Sequence, residues 1–73
     1  MTTLLTKEDK LNVVNQHIKA VDYALYNLEL DLIEAEAVAS PDADMVSSLN
    51  SRISVLESKK SALVAEKTSV EAE

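Results

Sequence analysis

Apolar residues recur at alternating steps of three and four through two long stretches of the chain. In the first, Leu11, Val14, Ile18, Val21, Leu25, Leu28, Leu32 and Ala35 keep this rhythm. In the second, Val46, Leu49, Ile53, Leu56, Leu63 and Val70 keep it, with Lys60 and Lys67 at the two interrupted positions. Such spacing lays one apolar row along one side of a helix, the seam of a coiled coil. Two such stretches with a break between them predict an all-α fold: a two-helix antiparallel coiled-coil hairpin, forming a single domain over residues 1–73.

Local signals place the ends of the helices. Thr6 followed by Lys7-Glu8-Asp9 offers a hydroxyl as N-cap and acids in the first turn, where free N–H groups and the positive end of the helix dipole await them. Ser40-Pro41-Asp42 reads as a second start, with Ser40 as N-cap and Pro41 at the first helical position, where its missing N–H costs nothing. Pro41 also holds Ser40 out of the α region and ends the first helix near Ala39. The expected helices run over about 7–39 and 41–70, with the turn near 39–41.

Folding the chain at residue 40 sets Leu32 against Leu49, Leu28 against Ile53, Leu25 against Leu56 and Ile18 against Leu63. Lys60 and Lys67 then face Val21 and Val14. Their stems cover apolar surface, and their ammonium groups reach water or Asp22 and Glu71. The same register brings Lys10 near Glu73, His17 near Glu66 and Asp31 near Arg52. One unbroken rod-like helix keeps the same frame, because the heptads run through the turn in phase. It would hold Pro41 mid-helix, at about 3 kcal/mol or more, so the hairpin is preferred. A swapped antiparallel dimer of rods satisfies the same pairings between chains.

Composition narrows the chemistry. The 73 residues contain no Gly, Cys, Trp or Phe, one Pro, and one His. No disulfide framework, thiolate zinc site or cysteine nucleophile is available. Without Gly there is no phosphate-cradling loop. The longest run free of Asp, Glu, Lys and Arg is the eight residues Leu11 to Ile18, too short to cross a bilayer. Met1 to Thr6 does not read as a secretory leader, so a cytoplasmic protein is expected. Seven basic residues against thirteen acidic ones give a net charge of −6, which opposes direct binding to nucleic acid. His17 is the only imidazole and has no partner ligands. Asp42-Ala-Asp44 opens like a calcium loop but lacks the Gly and the distal Glu. Glu34 and Glu36, two apart, point in different directions on a helix. No catalytic constellation, metal site or cofactor is expected, and the protein reads as a non-enzyme.

Three further patterns bear on binding. Tyr23, Tyr26, Leu30, Ile33 and Ala37 repeat the three–four spacing on the side of helix one away from the seam, where a solvated helix carries polar residues. This row is the candidate partner or oligomer interface. Ser47, Ser51, Ser54, Ser58, Ser61, Ala65 and Thr68 form a row of small residues along helix two, which lets another helix approach closely or simply faces water. Seven acids, Asp22, Glu29, Asp31, Glu34, Glu36, Asp42 and Asp44, lie between residues 22 and 44 with no Lys or Arg among them. Glu34 and Glu36 sit toward the C-terminal end of helix one, where the dipole disfavours them.

Two functions fit. One is a protein–protein interaction module that self-associates, most simply as a four-helix bundle of two hairpins, or joins a larger assembly as an accessory subunit. The other is an acidic inhibitor or adaptor of the phage or mobile-element type, covering a basic and nucleic-acid-binding site on another protein. The expected partners are therefore proteins, a second copy of the chain or a basic protein, with no membrane and no direct nucleic acid.

Overall fold

A computed structural model describes residues 4–73. It is an all-α hairpin of two helices, α1 (Lys7–Glu36) and α2 (Ala43–Glu71), lying side by side along their whole length. The molecule is a rod of 55 × 18 × 15 Å. There is no strand among the described residues. Residues 37–42 turn the chain, and no described residue takes a positive φ, as suits a chain without glycine.

The start of α1 follows the sequence reading. Thr6 is extended, with φ −73° and ψ 166°, and its hydroxyl accepts from the Asp9 N–H at 3.1 Å. The Asp9 carboxylate accepts in return from the Thr6 N–H at 3.2 Å. The capping box closes even though Asp is shorter than the usual Glu.

The turn corrects the sequence reading. Helix α1 stops at Glu36, three residues before Ala39, and Asp42 rather than Ser40 caps α2. One carboxylate oxygen of Asp42 accepts from the N–H groups of both Asp44 and Met45, at 2.9 and 3.2 Å. An ionised acceptor serving two free N–H groups at the positive end of a helix is a stronger cap than a single hydroxyl. Pro41 therefore lies before the cap and outside the helix, where it needs no donor. The longer turn, six residues, replaces the last turn of the expected first helix.

Every position of the expected seam is buried or half-buried, Lys60 and Lys67 included. Only Lys10 and Ala24 join them among the described residues. Leu28, Leu49 and Val70 are the most enclosed, at 6%, 7% and 2% exposure. Two helices can cover only one side of each other, so the core is a single thin layer.

The register expected from the charges is visible at two points. The Lys10 ammonium lies 2.9 Å from the Glu73 carboxylate and ties the two ends of the chain together. The Lys60 ammonium lies 2.7 Å from Asp22. His17 with Glu66 and Asp31 with Arg52, also expected as pairs, are not in ion-pair contact. Asp31 and Arg52 line the same shallow groove beside the seam without closing on each other. All four residues are exposed, and water competes well for such groups.

Candidate interaction face

Helix α1 presents a second side to solvent. Tyr23, Tyr26 and Ile33 are 64%, 61% and 62% exposed, and Leu30 is 38% exposed between them. Ala37, the last residue of the expected row, is exposed at the C-cap just past the helix. At 100° per residue, Tyr23 to Ile33 fall within one narrow arc on the far side of α1 from Leu25, Leu28 and Leu32. The face is thus a continuous apolar strip over three turns, and α2 covers none of it. The strip begins one turn after Lys19, whose ammonium lies 5.9 Å from the centre of the Tyr23 ring, within reach of a cation–π contact.

Asp22, Glu29 and Glu36 recur every seven residues, each one position before Tyr23, Leu30 and Ala37. That spacing makes them one edge of the strip, and Glu34 stands on the other edge. All seven acids of the 22–44 segment are exposed. Folding keeps this charge at one end of the rod, because the stretch of α2 laid beside it adds only Glu57 and Arg52, which cancel. In the hairpin, residues 22–58 form the half nearest the turn, with eight acids against Arg52, a net charge of −7. The open half, residues 1–21 and 59–73, has five acids against six lysines, a net charge of +1. The apolar strip lies entirely in the negative half.

No known protein family, curated protein or solved structure matches this chain.

The row of small residues on α2 is exposed from Ser47 to Thr68. Thr68 uses its hydroxyl locally, donating to the Val64 carbonyl at 3.1 Å. Met45, Val55 and Val64 are also exposed on α2, at 53%, 55% and 43%, but as separate side chains rather than as a row. Nothing in the sequence pattern marks these three, because they break the periodicity instead of extending it.

The remaining candidates for chemistry do not converge. His17 lines a shallow groove with Ala20, Lys59, Ala62 and Leu63, a cation and apolar groups. Asp42 is occupied as a helix cap. Among the described residues no three His, Asp or Glu side chains come together as metal ligands, and no buried side-chain polar atom lacks a partner. No helix is long and apolar enough to cross a membrane.

Proposed function

We propose that this chain is a small acidic interaction module without catalytic activity, which joins other protein as an assembly or accessory subunit through the outer face of α1. The observation that carries this reading is the uncovered row Tyr23, Tyr26, Leu30 and Ile33. Single exposed apolar side chains are ordinary on any protein, whereas four large ones in register, including both aromatic residues of the chain, form a patch of the kind that marks contact surfaces. Tyr adds area at low entropic cost and keeps a polar tip for water in the free state. The acidic alternative, an inhibitor or adaptor lying over a basic site of another protein, draws its support from the −7 half of the rod.

Photo-crosslinking tests the reading. A photoreactive residue in place of Tyr26 or Ile33 is expected to yield protein adducts in the native host, and one in place of Ser58 on α2 is not. Equal labelling from all three sites, or none from the two α1 sites, overturns it.

A further inference from the structure

We infer that the occupant of the α1 outer face is an amphipathic helix from a different, basic protein, with Lys and Arg along both edges of its apolar row, and not a second copy of this chain. The inference rests on the interaction-module reading above and names its partner.

Self-pairing is the obvious use of such a face. The three–four–three spacing of Tyr23, Tyr26, Leu30 and Ile33 reads the same in both directions. An antiparallel copy would therefore set Tyr23 against Ile33 and Tyr26 against Leu30, as a two-fold interface requires. The charges oppose it. The centre of the strip, near residue 28, lies well inside the negative half of the rod. A two-fold axis there overlaps the two −7 halves instead of laying each against the +1 half of its neighbour. At the helix edges it sets Glu29 beside the same residue of the copy and Asp22 beside Glu36. A parallel copy fares no better, because it sets Glu29 beside Glu34. Helices in contact lie about 8–10 Å apart, close to the screening length of about 8 Å at physiological salt, so the two negative halves still repel.

The same edges favour a cationic helix. Glu29, Glu34 and Glu36 are exposed, and none is held in an ion pair among the described residues. Asp22 alone is engaged, by Lys60. A partner with an apolar row flanked by Lys and Arg buries the Tyr and Leu side chains and places cations against Glu29 and Glu36 on one edge and Glu34 on the other. Complementary charge of this kind both selects the partner and speeds its encounter.

Two synthetic helical peptides with identical Leu/Ile rows test the inference, one with Lys and Arg at the flanking positions and one with Glu. Binding to the full chain is followed by fluorescence anisotropy, and the chain alone by sedimentation equilibrium. The cationic peptide is expected to bind at least roughly tenfold more tightly than the acidic one and to lose a similar factor when salt is raised. Glu29→Lys with Glu34→Lys is expected to weaken it. Tyr26→Glu with Leu30→Glu, which makes the protein still more negative, is expected to abolish it. That last result separates docking on the strip from mere attraction to an acidic rod. Ile33→Ser, a milder change, gives the same reading should the double variant fail to show the helical circular dichroism of the wild type. Equal binding of the two peptides, or retained binding by the strip variants, overturns the inference. So does self-association of the chain, at the concentrations where the peptide binds, that is lost in the strip variants, but that outcome leaves the interaction-module reading standing. Absence of every association at the strip, combined with no crosslinks from Tyr26 or Ile33, removes both.

Discussion

The ammonium of Lys60, at a core position of α2, lies 2.7 Å from the carboxylate of Asp22, at the edge of the α1 outer strip. Lys60 thus fills a gap in the apolar seam with its stem and carries its charge out to the boundary between seam and strip. Both groups remain more than two-fifths exposed, 41% and 47%, so the pair marks the register more than it stabilises the fold. Asp22→Asn is expected to change unfolding stability by less than about 1 kcal/mol. Lys60→Leu is expected to stabilise the hairpin, because apolar volume replaces a half-solvated stem. Urea unfolding of both variants checks this, and a large loss in Asp22→Asn would contradict it.

The seam carries the stability. Leu28 and Leu49 are nearly closed off from water. Leu28→Ala or Leu49→Ala is expected to cost about 2–5 kcal/mol, through lost burial and the cavity left behind. Ile53→Ala, at a half-buried position, is expected to fall at the low end of that range. Thermal unfolding by circular dichroism reads all three, and unchanged melting in the two leucine variants would refute the seam.

The turn offers a sharper contrast. Asp42→Ala removes an acceptor that serves two N–H groups, and a loss of about 0.5–2 kcal/mol is expected. Ser40→Ala is expected to be nearly silent, because Ser40 caps nothing. A larger effect from Ser40 than from Asp42 in denaturant titrations would restore the cap read from the sequence.

Glu34 and Glu36 lie in the last turn of α1, with no basic residue there to balance the dipole. Glu36→Lys is expected to raise stability by about 0.3–1 kcal/mol at low salt. The gain is expected to shrink as salt is added. Melting curves at two ionic strengths read both the sign and its decay.

The outer strip is not part of the internal core. Tyr23→Ser and Tyr26→Ser are each expected to leave the melting of the isolated hairpin within about 0.5 kcal/mol, since Ser and Tyr have similar helix propensity and both rings are mostly in water. A substantial loss in dilute solution would show that the rings are already covered.

By itself the sequence determined the fold class, the two seams and how they face one another. Each seam is written by eight positions in step, so an error at any one of them is outvoted by the rest, and even Lys60 and Lys67 sit where the rhythm puts them. The pairs Lys10–Glu73 and Lys60–Asp22 follow from that register. The helix ends around the turn were decided only in three dimensions. Ser40 and Asp42 both satisfy the local rules for a cap, and the choice between them depends on the path that closes the hairpin. Asp42 wins by holding two N–H groups where Ser40 would hold one. The tertiary structure likewise decided which opposite charges meet, because exposed pairs such as Asp31 and Arg52 gain too little over water to be fixed by register alone. The outer strip of α1 lies inside the acidic stretch by sequence alone, since Tyr23 to Ile33 fall between Asp22 and Asp44. What folding at residues 37–42 decided is where that charge lies in space: it sets Arg52 and Glu57, which cancel, beside the acidic stretch and carries all six lysines to the other end of the rod.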